Sequence, residues 1–405
     1  MKSVNKVHNK NKADDWIVTD IASFAPFIYG KGLPEGKRIN NGHFPVYGSN
    51  GVIGFHDKPL VKSPTVIVGR KGTIGSVHFC EGGCWPIDTT FYYTNEDVDN
   101  VKYVYYLLKS VDFNGMNSDS AIPGLNRDNA HAIPIRIPSN AKERRYIVDI
   151  LGTLDDKIEN NHKVAKTLEA ITQAIFKSWF IDFEFPDENG QPYKSSGGEL
   201  VDSELGVIPK GWVVGTLGDI LVNTKIPLRP GNQLGDRKYV PIDCLSMDSI
   251  CIGSYEPNEL ATSSLIAFEK DDILLGAMRV YFHRVNLAPF SGVTRATTFV
   301  LRVKYPNILS FAILLMNLDS TINYANSHSK GTTMPYAVWG GSLENMPIII
   351  PDRFILKNFH DIVYPFLSKI RDSIFFSASL SAIRDNLLPK LISGKIRVPV
   401  EDANE

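Results

Sequence analysis

The chain has 405 residues, 43% of them hydrophobic and 21% charged, with 43 basic against 44 acidic side chains. That length is too great for one ordinary core and calls for two domains or more. A formal net charge of −1 argues against a uniformly basic nucleic-acid binder, so any DNA contact has to come from local clusters of Lys and Arg or from a partner.

No stretch approaches the ~18 consecutive apolar residues of a membrane helix. The amino terminus, MKSVNKVHNKNKADD, has lysines with no apolar run behind them. It reads as a flexible basic tail over residues 1–15 rather than a secretory signal, and the expected location is cytoplasmic. The cysteines are Cys80, Cys84, Cys244 and Cys251, taken as reduced thiols. His78, Cys80 and Cys84 are metal-ligand types, but no matching second pair of ligands follows, and no metal site is expected.

The first half opens at Trp16 with WIVTDIASF and the second at Trp212 with WVVGTLGDI. Short, β-rich, Gly-punctuated segments follow each. Thr65-Val66-Ile67-Val68-Gly69 corresponds to Asp272-Ile273-Leu274-Leu275-Gly276, and Thr89-Thr90-Phe91 to Thr297-Thr298-Phe299. A helical segment from Tyr103 to Ser110 matches Ser310 to Asn317. Each half then reaches a proline-closed strand, Ile133–Pro138 and Met346–Pro351. The offset drifts from 196 (Trp212 minus Trp16) to 212, so the second half has gained loop residues.

After the first proline-closed strand, Asn140 and Glu143 have capping-box spacing for a short helix that Gly152 can end. A long helix from about Thr153 to Phe180, capped by Thr153 and Asp156, would span roughly 42 Å. Its apolar seam reads Leu154, Ile158, Asn161, Ala165, Leu168, Ile171, Ile175 and Trp179. Shifting each by 212 gives Phe366, Ile370, Ser373, Ser377, Leu380, Ile383, Leu387 and Leu391, large on large at the ends and small or polar in the middle. Two long helices that bury these stripes against each other are expected. The fold class is α+β: two β-rich heads, two long antiparallel helices and a pseudo-two-fold duplication. The boundaries are 16–139 for the first head, 140–182 for the central helix region and 183–211 for a polar, Gly/Ser-rich linker. The second head covers 212–352, the carboxy-terminal helix region 353–395 and a tail 396–405.

Several stretches carry a family resemblance when taken in this order. They are Phe176-Lys177-Ser178-Trp179-Phe180 with Asp182-Phe183-Glu184, the linker from Tyr193 to Gly206, Ile208-Pro209-Lys210-Gly211-Trp212, and Leu387 to Gly394. The chain resembles the specificity subunit of a type I restriction-modification system from Trp16 to Val398. One departure is Asp14-Asp15-Trp16, where the family has a Pro-x-x-Trp approach. The resemblance implies two target-recognition domains, each reading one half of a split DNA target, and two spacer helices that set the gap. It implies partners: double-stranded DNA, two methyltransferase subunits acting on adenine N6 and ATP-dependent restriction subunits. S-adenosylmethionine, ATP and Mg²⁺ then belong to those partners, with no cofactor in this chain.

The residues agree with a non-catalytic role. Gly30 to Lys37 has the wrong spacing for a phosphate loop and ends at Arg38, and Gly69 to Gly75 is not one either. There is no Asn-Pro-Pro-aromatic element and no paired-carboxylate nuclease core. Candidate DNA contacts are Arg70, Lys71 and Thr73 in the turn Gly69–Gly75, and Arg279, Tyr281, His283 and Arg284 in the corresponding segment of the second half. Ser120, Asn126 and Arg127 in the loop before the first closing strand, with Lys330, Thr332, Thr333 and Tyr336 before the second, complete the set. The same residues also fit ordinary turns with solvated charges. The hairpin turn around Asn50-Gly51 is a weaker third candidate. Trp179, Phe180 and Phe183 at one helix end, with Phe375 and Phe376 on the other helix, are expected to be exposed and to dock a methyltransferase subunit. The competing reading is a duplicated protein–protein adaptor without DNA contact.

Overall fold

The computed structural model describes residues 15–39, 41–113, 115, 124–231 and 234–398. They fall into two compact units: residues up to Asp156 together with those from Ser381 onward, and the stretch from Lys157 to Leu380. The helices are therefore no separate body. Each unit takes one segment from each of them.

In unit 1, β1 (Trp16–Asp20) leads through α1 (Ile21–Phe24) to β2 (Ile28–Tyr29), β3 (Phe44–Gly48), β4 (Gly51–His56), β5 (Thr65–Gly69), β6 (Val77–Cys80), β7 (Trp85–Pro86) and β8 (Thr90–Thr94). Helices α2 (Val98–Lys109) and α3 (Arg127–His131), strand β9 (Pro134–Pro138) and the first part of α4 (Ala141–Phe176) follow. One antiparallel sheet runs β2-β8-β5-β6 and a mixed sheet runs β4-β3-β7, with β7 parallel to β3, while β1 pairs with β9. Strand β5 is buried along its whole length, which explains the unbroken TVIVG run in place of alternation.

Unit 2 begins with the second part of α4 and the hairpin β10 (Leu200–Ser203) and β11 (Gly206–Pro209). Next come β12 (Val213–Thr216), α5 (Leu217–Ile220), β13 (Leu221–Thr224), β14 (Ile226–Leu228), β15 (Lys238–Tyr239), β16 (Leu265–Phe268), β17 (Ile273–Gly276), β18 (Val285–Leu287), β19 (Gly292–Arg295) and β20 (Thr298–Val303). Helices α6 (Leu309–Met316) and α7 (Asp319–Ser327), strand β21 (Pro347–Ile350) and the start of α8 (Arg353–Ile392) close it. The sheet β13-β20-β17-β18 repeats the order of β2-β8-β5-β6, and β12 pairs with β21 as β1 does with β9. Even the register agrees: Gly69 faces Thr90, and Gly276 faces Thr298.

Three expectations need correction. First, α4 is one unbroken helix of 36 residues, so Gly152 is interior and not a stop. Asn140 does cap it, its Oδ1 accepting from the Lys142 amide at 2.8 Å. Glu143 is nearly fully buried and accepts from Trp16 Nε1 at 3.3 Å and from Arg397, whereas Thr153 is no cap and donates to the Asp149 carbonyl at 2.6 Å. A methyl at Gly152 would meet only the Tyr106 hydroxyl, at 3.9 Å. Gly152→Ala is accordingly expected to stabilise the chain by about 0.5–1 kcal/mol in urea unfolding, through the lower entropy of the unfolded chain and better helix propensity.

Second, Trp179 and Phe180 are only 7% and 6% exposed. Beyond Phe176 a π-helical turn over Lys177–Ile181 changes the helix pitch and aims both rings into unit 2. Phe180 meets Phe311 at 4.8 Å, Phe359 at 4.7 Å and Trp212 at 5.9 Å between ring centroids. Phe183 lies edge-on to Trp212 at 5.6 Å. Trp179 and Phe180 are core and not exposed, whereas Phe183 is half-buried against that core. Phe375 and Phe376 are exposed as expected. The segment read as a featureless linker is also structured, with Phe185 stacked on Tyr193 at 4.5 Å and on Trp212 at 5.0 Å.

Third, the seams shift at two steps, the first at Phe366, which is half-buried while the adjacent Leu367 is fully buried in its place. At the second, Ile171 and Ile383 are exposed, and Thr172 and Arg384 turn inward in their place. Thr172 satisfies its hydroxyl on the Glu169 carbonyl at 2.8 Å. In unit 1, Asp155 of α4 accepts from Arg384 of α8 at 2.5 Å and from the Tyr106 hydroxyl at 2.8 Å. In unit 2, Phe176 and Trp179 lie 6.2 and 5.5 Å from Phe359, near the start of α8. Among the described residues, no single helix is long and apolar enough to cross a membrane.

Candidate nucleic-acid interface

In unit 1 the turn after β5 is built on close backbone approach. A Cβ on Gly69 would lie 2.1 Å from the Thr73 carbonyl oxygen, so only glycine fits there. The amides of Arg70 and Lys71 donate to the Thr89 carbonyl at 2.9 and 3.1 Å. The Leu125 amide donates to the Arg70 carbonyl at 2.9 Å, and Lys71 bridges Gly124. Two stretches more than fifty residues apart in sequence are thus laid side by side. Asn126 caps α3, its Oδ1 accepting from the amides of Asp128 and Asn129 at 2.8 and 3.1 Å, which leaves its NH₂ for other partners. Lys71 and Thr73 are exposed. Ser120 lies outside the described residues.

The arginines of these two stretches converge on a residue the sequence did not single out. The guanidinium carbons of Arg70 and Arg127 each lie 5.0 Å from the ring centroid of Tyr29, on β2. Arg70 also lies 5.6 Å from Phe91 and donates to the Asp88 carbonyl at 3.3 Å. Behind them His131 Nε2 accepts from the Phe27 amide at 2.8 Å, which requires a neutral ring acceptor. Burial, then the charge of Arg127, hold the His131 pKa below its ordinary value. No local sequence signal marks Tyr29, because its role arises from three distant stretches meeting.

Unit 2 repeats the arrangement with other side chains. Arg279 and His283 both have left-handed backbones, with φ of 49° and 54°. The Arg279 amide donates to the Pro335 carbonyl and the Ala337 amide to the Ala277 carbonyl, both at 2.8 Å. Tyr336 bridges both Met278 and Lys330. Arg279, Tyr281, Lys330, Thr332, Thr333 and Tyr336 are exposed. His283 and Arg284 are not free in the same way. His283 Nε2 lies 3.1 Å from the Asn317 carbonyl, while Arg284 Nη1 lies 3.4 Å from Asp243 Oδ1 with its guanidinium 5.4 Å from the Phe282 ring. Beside these loops opens a cleft of about 780 Å³. Met278, Phe299, Tyr336 and Trp339 form its apolar wall, and Lys225 and Arg295 are its cations. Sequence reasoning missed Lys225, Arg295 and Trp339, which come from separate strands and loops.

The thiols of unit 1 form a buried cluster with Tyr47 and Ile67. A hydrogen bond with Cys84 brings the Cys80 pKa down to about 7, whereas that bond and burial push Cys84 up. Among the described residues no group of three or more His, Cys, Asp or Glu side chains is placed to hold a metal ion.

Against this geometry, the chain is 32% identical over 381 residues to the type I restriction enzyme MjaIX specificity subunit of Methanocaldococcus jannaschii, covering 87% of this chain and 84% of that one. The chain belongs to the type I restriction enzyme specificity subunits. A second such subunit, that of the HindI enzyme of Haemophilus influenzae, is 22% identical over 329 residues, or 68% of this chain and 71% of that one. The family model described as type I restriction modification DNA specificity domain matches residues 13–170. In fold, this specificity subunit resembles the S subunit of the type I restriction-modification system from M. genitalium, with a TM-score of 0.65, 17% identity and coverage of 95% and 97% of the two chains. Both of its units carry the loop-on-loop arrangement, one inside and one outside the stretch that the family model matches.

Proposed function

We propose that this chain is the DNA-reading subunit of a type I restriction-modification complex and that its two units read the two halves of a split, asymmetric target. The observation that carries the reading is the pair of loop-on-loop sites, set at the same sheet position in each unit but furnished with unlike side chains. A common scaffold with different contact groups is what two non-identical half-sites require. The long helices α4 and α8, antiparallel to each other, act as spacers that set the gap. The chain supplies no catalysis. Adenine methylation with S-adenosylmethionine, and ATP- and Mg²⁺-dependent cleavage, belong to methyltransferase and restriction subunits that assemble on it in the cytoplasm.

Helix positions outside the seam support two methyltransferase sites. Unit 1 exposes Ile150 of α4 and Ile383 of α8, at 39% and 49%. Unit 2 exposes Ile171 of α4 and Ile362 of α8, at 40% and 44%. A shift of 212 turns Ile150 into Ile362 and Ile171 into Ile383, so each unit offers the same apolar pair. Exposed isoleucines at repeat-equivalent positions fit one partner type binding twice. Exposed Phe375 and Phe376 extend the apolar surface of α8 in unit 2.

Titrating duplex DNA with the complex of this chain and its methyltransferase subunits tests the reading. Phosphate contacts release counterions, so affinity is expected to fall ~10³-fold or more between ~50 and ~200 mM salt. The adaptor alternative, which the net charge of −1 favours, predicts no DNA binding attributable to this chain.

A further inference from the structure

We infer that Arg70 and Arg127, held against Tyr29, are the specificity-determining residues of unit 1 and each read a guanine in its half of the target. This deepens the DNA-reading function proposed above and rests on it. Two guanidinium groups beside a single tyrosine ring repel each other, yet their acidic surroundings do little to neutralise them. The Asp128 carboxylate comes only to 3.6 Å from Arg127 Nε, beyond hydrogen-bonding distance, and its side chain is largely solvated. Arg127 Nε itself is buried with no hydrogen-bond partner. Arg70 spends one N–H on the Asp88 carbonyl. The remaining donors of the pair await an acceptor-rich ligand, and a double-stranded nucleic acid offers two kinds of acceptor.

The observations favour the base edge over the phosphate. Cation–π contact with Tyr29 restricts each planar fork, so less freedom is lost when it makes two parallel hydrogen bonds. The O6 and N7 acceptors of guanine in the major groove match such a fork. Lys71 and Thr73, exposed on the same turn, supply a point charge and a hydroxyl of the kind that backbone positioning uses. Tyr29 is a positioning residue in this scheme. Among the described residues no two arginines of unit 2 share one ring: Arg284 lies over Phe282 and turns to Asp243, Arg295 lies over Tyr239, and the exposed loop groups are Arg279, Lys330 and hydroxyls. The two halves of the target should therefore differ in their dependence on guanine.

The test uses the complex with methyltransferase subunits and its own modified target, first mapped in the host. Each guanine of the target is replaced in turn by 7-deazaguanine, which removes N7 and leaves every phosphate in place. Wild type is expected to lose about tenfold or more in affinity at each of two guanines of one half. Arg70→Gln and Arg127→Gln should each abolish the loss at the guanine that its own fork reads and relax the methylated motif at that position only. Arg70→Lys, which keeps the charge without the fork, should relax it as well, and Tyr29→Ala should do so in part. The inference is overturned if the variants weaken binding to all sequences alike with a shallower salt dependence, the mark of a phosphate contact, or if they leave the motif intact. A wild-type complex with no preference for its own modified target would overturn the DNA-reading function itself, a distinct outcome.

Discussion

Phe180→Ala is expected to destabilise unit 2 by about 3–5 kcal/mol, the range for emptying a buried aromatic site. The ring sits among Phe176, Trp212, Phe311 and Phe359, all buried, and joins α4 to α6 and α8 within that unit. Neighbours on three elements cannot all move inward, so a cavity remains and adds to the lost transfer energy. Urea unfolding of the purified chain, with no partner present, reads the effect. A change below about 0.5 kcal/mol, with failure only in assembly, would restore the docking role that the sequence alone assigned to this ring.

The second large effect is expected just beyond the carboxy-terminal end of α8. Arg397 grips Glu143 with Nε at 2.8 Å from Oε1 and Nη2 at 3.2 Å from Oε2, and its guanidinium lies 5.6 Å from the Trp16 ring. Glu143 is 2% exposed, so Arg397→Met leaves a buried carboxylate that still accepts from Trp16 Nε1 but has lost its cation. Stranding a charge in this way costs about 3–5 kcal/mol. The double variant Glu143→Met, Arg397→Met removes both charges and should recover most of the loss, because a paired buried charge gains little over apolar groups of similar size. Thermal unfolding of the three proteins tests this. A double variant as unstable as Arg397→Met would mean that volume at Glu143, and not the stranded charge, dominates.

Much of the architecture could be read from residue patterns. The tryptophan starts, the proline-closed strands and the buried runs at Thr65–Gly69 and Asp272–Gly276 are set by short-range rules of burial and backbone geometry, and they recur in the same sheet order. The misses have physical reasons. Gly152 directly follows a turn fixed by burial of Ile147, Val148 and Leu151, which outweighs its poor helix propensity. Hydrophobicity alone runs the seam through Ile171 and Ile383. Thr172 and Arg384 could replace them only because the Glu169 carbonyl and Asp155 meet their polar groups. Trp179 and Phe180 looked terminal because nothing local announces a π-turn. At the candidate interface the turn Gly69–Gly75 was legible from its glycines, whereas Tyr29 and the cleft around Trp339 depend on chain segments far apart in sequence.

The function proposed here has one chain read a split DNA target with two unlike units. Mapping methylated adenines at base resolution in a host that carries the full complex tests it most directly. The expected result is one motif made of two different specified halves, separated by unspecified base pairs that put the half-sites about one helical turn apart. A single uninterrupted motif, or two identical halves, would contradict it.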